Sequence, residues 1–209
     1  MTNLEIAQQK EEYIKLCREY IHRDGLEDLL AYLDKSDFFT APSSTRFHLN
    51  EEGGLCRHSI NVFKMAKNIY EKCGIVEAIK DGTSPFNQEI DMESLAIACF
   101  FHDLCKIGVY SRAEKYRKDA NGRWETYLTW EFNENFPIGH AEKSIAILNR
   151  FIQPKQEEML AIRWHMGAFD LGDNETRTFY EALDKHPLVS LVMSADFLAS
   201  KYMELTTEA

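Results

Sequence analysis

A histidine and an aspartate, His102 and Asp103, stand side by side at the end of an apolar run covering residues 95–101. Two polar groups in that position cost free energy unless something binds them. Three more histidines fall at the edges of segments that read as helices: His58 early in one, His140 at the start of another, His165 at the end of a third. Asp196 lies in the last helical segment among Val189, Leu191, Val192, Met193, Ala195, Phe197 and Leu198, and a carboxylate in such company requires a cation. Imidazole nitrogen and carboxylate oxygen together suit a divalent ion: manganese, iron, nickel, cobalt, zinc or magnesium. Such ions activate water and polarise the oxygens of a bound ester.

Around these residues lies a set of basic side chains. Lys106 follows His102 by one helical turn, and its ammonium can neutralise phosphoryl oxygens. Arg46 and His48, just ahead of Gly53-Gly54, are candidates for the same anion, and Arg112 is the nearest of the later cations. Lys115, Arg117 and Lys118 read as an exposed face. A rival zinc set would use Cys56 and Cys105 beside His58 and His102, but it strands Asp196 and two histidines. Cys56, Cys99 and Cys105 read better as small buried filler. Ser59 and Ser111 have no base-and-orienter arrangement in view, so a covalent route through a serine is not indicated.

The elements that must position these groups are mostly helical. Apolar residues recur at a helical period over residues 4–21, and a short helix follows over 26–33. Residues 38–54, with Pro42, two serines and Gly53-Gly54, form an irregular loop, and helix returns over 56–70. Asp91 or Ser94 caps a helix running through the apolar stretch and on through His102, Asp103 and Leu104, which makes it the central buried helix. Over residues 114–130, Tyr116, Trp124, Tyr127 and Trp130 surround Asp119-Ala120-Asn121-Gly122, and Asn-Gly between aromatic flanks predicts a two-stranded flap. Helices are expected again over 139–151, 154–164, 175–183 and 187–205, the last opened by Pro187. The fold class expected is all-α, a helical bundle carrying one small β-hairpin.

The 209 residues suit a single domain, with residues 1–36 as an N-terminal helical extension to a core over 38–203. No stretch approaches the apolar length that crosses a bilayer, and five cysteines without an export signal read as reduced thiols, so a cytoplasmic location is expected. A net charge of −10 works against nonspecific adhesion to nucleic acid or anionic membrane. It leaves a small phosphorylated substrate compatible, because the charge around one pocket can differ from that of the whole surface.

In order along the chain, Gly53-Gly-Leu-Cys-Arg-His58-Ser, Phe100-Phe-His102-Asp103-Leu-Cys-Lys106-Ile-Gly, Gly139-His140-Ala-Glu-Lys-Ser, Arg163-Trp-His165-Met-Gly and Ser194-Ala-Asp196 resemble the motifs of HD-domain phosphohydrolases. The pattern H…HD…H…H…D spans about residues 38–203. The resemblance implies a first metal held by His58, His102, Asp103 and Asp196. Its extra histidines look like the dinuclear branch, which includes cyclic-dinucleotide phosphodiesterases and bacterial exoribonucleases, so that Asp103 bridges to a second metal on His140 and His165. Two other roles stay open here: His140 as a helix cap and His165 as a substrate contact. The implied reaction is hydrolysis of a phosphate ester, on a nucleotide or other small phosphorylated metabolite, with Asp103 orienting metal and water and Lys106 stabilising the phosphoryl charge. Alternatives are a 3′-to-5′ nuclease on single-stranded nucleic acid, with flap aromatics stacking on bases, and a catalytically silent module that binds a nucleotide or a protein. One departure stands out: Cys105 occupies a position where related sequences often carry glycine.

Overall fold

Nothing charged interrupts residues 94–101, and they form the most deeply buried helix of the chain, α5 (Met92–Phe101), in which every side chain from Ser94 onward is buried. Asp91 caps it, its side chain accepting from the Glu93 backbone N–H. The structure is a computed structural model describing residues 1–168 and 171–204. Before α5 come α1 (Asn3–Tyr20), α2 (Leu26–Lys35), α3 (Gly54–Lys72) and α4 (Ile75–Lys80). After it come the hairpin β1 (Tyr110–Lys118) and β2 (Trp124–Phe132), then α6 (His140–Leu148), α7 (Gln156–Trp164), α8 (Asp173–Lys185) and α9 (Pro187–Leu198). The expected all-α bundle with a small hairpin is what the chain adopts.

Helices α3, α7 and α9 pack on α5 and α9 also packs on α3 and α7, so the C-terminal end of α5 lies inside a ring of helices. From α1, Tyr13 reaches the same end: its hydroxyl donates to the Phe100 carbonyl (3.1 Å), and its ring packs against Phe38, Phe39 and Phe100. The hairpin pairs antiparallel from Tyr110 opposite Phe132 to Lys118 opposite Trp124, longer at both ends than residues 114–130. It is tied to the loop before α3 by Trp130, whose indole N–H donates to the Asn50 carbonyl (3.1 Å).

Some expectations are corrected. Helix α5 does not continue through Leu104: His102 is its C-cap, and Leu104–Lys106 form a 3₁₀ turn. The carbonyls that would carry the helix onward are taken by side chains, Cys99 by the His102 ring and Phe100 by Tyr13. At the other end, α9 stops at Leu198 and gives way to a π turn, Ala199–Met203, while Leu205 lies outside the described residues. The short α4 was not anticipated.

A buried charge cluster locks the bundle. Arg23, between α1 and α2, forks both oxygens of the fully buried Glu158 on α7 (2.5 and 2.8 Å) and reaches Glu93 on α5 (3.3 Å). Replacing Arg23 with methionine leaves that carboxylate unpaired and is expected to cost about 3 kcal/mol of stability, read from urea unfolding. A loss under about 1 kcal/mol, the level of an exposed pair, contradicts this account.

Candidate metal centre

The end of α5 is where the expected ligands meet. His58 is in the second turn of α3, His102 and Asp103 follow α5, His140 opens α6, His165 caps α7 and Asp196 is in α9. The ring orientations are set locally. His102 Nδ1 sits 2.8 Å from the Cys99 carbonyl and His165 Nδ1 sits 2.7 Å from the Ile162 carbonyl, each an orphan acceptor in the last turn of its helix. A carbonyl only accepts, so in both rings Nδ1 carries the proton and Nε2 presents a lone pair.

His58 follows the same rule by another route, its Nδ1 lying 3.0 Å from Glu204. Its Nε2 and that of His102 therefore face each other, 3.1 Å apart in the buried interior. Two such nitrogens are held together by a proton or a metal ion between them. Around the same point stand Asp196 Oδ1, 3.1 Å from His58 Nε2, and Asp103 Oδ2, 3.4 Å from His102 Nε2 and 3.6 Å from His58 Nε2. Ligand atoms about 2.1 Å from one ion are roughly 3.0 to 3.4 Å apart in octahedral or tetrahedral geometry, a spacing met between His58 and His102, His58 and Asp196, and His102 and Asp103. His58, His102 and Asp103 form one close group, and His102, His165 and Asp196 another, that could hold a metal ion.

The other oxygen of Asp103 faces a second group. Its Oδ1 is 2.8 Å from His140 Nε2 and 3.8 Å from His165 Nε2, and the latter nitrogen is buried with no hydrogen-bond partner. An orphaned imidazole nitrogen is unexpected in a packed interior, and a metal ion at this point would give it a partner. Asp103 thus turns one oxygen toward His58 and His102 and the other toward His140 and His165, and each group could hold a divalent ion.

A family profile described as HD domain matches residues 55–200, well over half of the sequence. The chain belongs to the HD-domain family. No curated protein and no solved structure was found to match it. HD domains bind divalent metals, and the clusters of this HD-domain protein supply oxygen and nitrogen donors in the arrangement such ions take.

Charges at the HD centre are strongly coupled. Burial pushes His58 down, but Asp196 and Glu204 against its two nitrogens more than offset this and raise it to about 10. His140 is raised to about 10 in the same way, by Asp103 and then Cys105 working against burial. Burial, then the neighbouring His102, takes His165 down to about 3. Burial opposes ionisation of Asp103 and Asp196, yet both stay far below the usual carboxylate range, the former through Lys106 and His102 and the latter through His58. Without metal, protons on His58 and His140 thus do part of a cation's work.

That has a consequence for pH. A group whose pKa folding raises adds stability in full below its unfolded value, near 6.5, and loses it as pH climbs through the folded value, about 10. The metal-free protein loses the contribution of His58 and His140 across that window, whereas a metal replaces the protons. The rise in Tm on adding manganese is expected to be larger near pH 9 than near pH 6.5 by at least about 3 °C, which is about 1 kcal/mol for a chain of this size. An equal or smaller rise at the higher pH contradicts the proton-for-metal exchange.

The basic residues divide. Lys106 lies on the 3₁₀ turn rather than one helical turn past His102, and its Nζ is 2.7 Å from Asp103 Oδ2. His48 stacks beside His58, ring centroids 5.0 Å apart, with its Nε2 buried and 3.8 Å from Glu204. Its loop sits close because Gly54 has no side chain: a Cβ there would meet the Leu49 carbonyl at 2.1 Å. Arg46 is exposed beside Phe47. Arg112 is engaged elsewhere, stacked over Trp130 (3.9 Å) and paired with Glu52 (3.1 Å).

The thiolate alternative is not assembled. No candidate metal cluster among the described residues contains a cysteine. Cys56 is buried with its thiol pushed up to about 12 by burial, and Cys105 Sγ lies 3.2 Å from His140 Nδ1. Ser59 donates to the Leu55 carbonyl and Ser111 accepts from Asn133, so neither is placed as a nucleophile.

A hollow of about 300 Å³ opens beside the centre, lined by Cys105, Lys106, Tyr110, Phe132, Glu134, Pro137, Gly139 and His140. A second, of about 410 Å³ between residues 86–90 and 185–188, contains no residue of the centre. Sequence reasoning missed Glu204 and Asn61. Neither carries a motif or a periodicity that distinguishes it from an ordinary surface residue.

Proposed function

We propose that this HD-domain chain hydrolyses a phosphate ester of a nucleotide or other small phosphorylated metabolite, its site loaded with one or two divalent ions. The observation that carries this reading is the convergence of the Nε2 atoms of His58, His102 and His165 with the carboxylates of Asp103 and Asp196, a set of metal-ligand donors beside which, among the described residues, the lysine paired is Lys106. When bound, such ions lower the pKa of water and polarise phosphoryl oxygens.

The chain's own side chains do the rest. Asp103 aligns the two halves of the site, and Lys106, which also lines the hollow, offers its ammonium to a phosphoryl oxygen. Tyr110, Phe132 and Pro137 give the leaving group an apolar wall. About 300 Å³ is the lower end of the range for small-molecule sites and has room for a small phosphorylated substrate. The cysteines are free thiols, no described helix is long and apolar enough to cross a membrane, and we place the protein in the cytoplasm.

The test is to purify the protein, measure its metals, and assay aryl phosphates, nucleotides, cyclic dinucleotides and single-stranded RNA with manganese, nickel, cobalt or magnesium. Turnover of small phosphoesters that a chelator removes and metal restores is the expected result. Stepwise shortening of RNA alone would make the chain a nuclease, and metal uptake with no turnover would make it a silent module. Either outcome overturns the reading.

A further inference from the structure

Past Asp196 the chain winds through the π turn Ala199–Met203 and comes back behind His58. A π turn holds one more residue per hydrogen-bonded ring than an α-helix and so changes the face on which the next residues fall. Glu204, directly after it, is buried. Its carboxylate oxygens lie 3.0 and 3.1 Å from His58 Nδ1, accept from the Asn61 amide at 3.0 Å, and face His48 Nε2 at 3.8 Å. Among the described residues no lysine or arginine pairs with it. Burying a carboxylate without such a partner is costly unless its contacts serve a purpose.

The need for an acceptor at this place follows from where His58 sits. His102 and His165 are helix C-caps and give their Nδ1 protons to free carbonyls of their own last turns. His58 lies inside α3, where the corresponding carbonyl, Leu55, is occupied by the helix and by the Ser59 hydroxyl. No backbone acceptor is left, so the proton must go to another part of the chain. Asn61, three residues on and on the same face of α3, holds the acceptor in place.

We propose that Glu204 is a positioning residue of the metal centre. By accepting the His58 Nδ1–H it fixes the tautomer and orientation of that ring, so that Nε2 faces His102 and Asp196 as a stronger donor. The proposal rests on the metal-binding reading above. A carboxylate behind a ligating histidine raises the basicity of the coordinating nitrogen, and its loss typically weakens metal binding 10- to 100-fold.

The test is cobalt titration of the full-length metal-free protein, followed by visible absorption and by metal content, for wild type, Glu204→Gln and Glu204→Ala. The glutamine keeps the shape and one acceptor oxygen but not the charge, so it reports even where alanine fails to fold. The expected order of affinity is wild type, then Gln, then Ala, with Ala weaker by about 10- to 100-fold and the cobalt bands altered. Unchanged affinity and spectrum in either variant overturns the proposal, including the case in which only the metal-free Tm falls, which would mark a purely structural residue. Wild-type protein that takes up no cobalt overturns the metal reading itself, a failure distinct from wild-type uptake that the variants share.

Discussion

Replacing Asp103 with alanine is expected to lower phosphoester hydrolysis by at least about a thousandfold and to strip metal from both groups of ligands. Removing a single oxyanion-hole hydrogen-bond donor from a reacting centre already costs about 100- to 1,000-fold, and Asp103 serves more than one partner. Its Oδ2 stands by His58, His102 and Lys106, and its Oδ1 by His140 and His165. Deleting it leaves the Lys106 ammonium without its counter-charge and both imidazole groups without their shared anion. Steady-state kinetics with metal analysis reads both effects. Retention of more than a tenth of wild-type activity would show that the carboxylate is not central.

Lys106→Met is expected to separate catalysis from metal binding. Although burial disfavours its charge, Asp103 holds the ammonium above the usual lysine range in the metal-free chain. Lys106 lines the hollow beside His140, and as an ammonium it has no lone pair to offer a metal. A fall in kcat of about 100-fold, with metal content close to wild type, is the outcome expected from losing a charge that acts on the phosphoryl group. Lys106→Arg, which keeps the charge on a bulkier head, should recover part of the loss. If Lys106→Met instead loses its metals and keeps its rate per bound metal, the lysine supports Asp103 rather than substrate.

The sequence disclosed whatever depends on one segment at a time. The apolar run before His102, the Asn-Gly turn between aromatic flanks and Pro187 at a first turn each act through local physics, and they mark α5, the turn of the hairpin and the start of α9, although the strands run on to Tyr110 and Phe132. The grouping of the histidines with Asp103 and Asp196 was legible for a different reason, since a polar side chain in apolar company needs a partner from elsewhere. What stayed hidden depends on tertiary contacts. Where helix α5 stops early, its last carbonyls are met by side chains, Phe100 by Tyr13, some 87 residues away in sequence, and Cys99 by His102. Arg112, the later cation nearest the metal helix in sequence, is spent on Trp130 and Glu52 across the hairpin and loop. Glu204 was invisible because a lone glutamate near an acidic terminus has no periodicity, and only the π turn brings it behind His58.

Anomalous diffraction at the metal edge, from crystals of manganese-loaded protein, tests the central claim most directly. The account predicts density enclosed by His58, His102, Asp103 and Asp196, with a second peak on the far side of Asp103 between His140 and His165. A loaded crystal that shows no peak among these side chains, or shows its metal bound elsewhere, would contradict it.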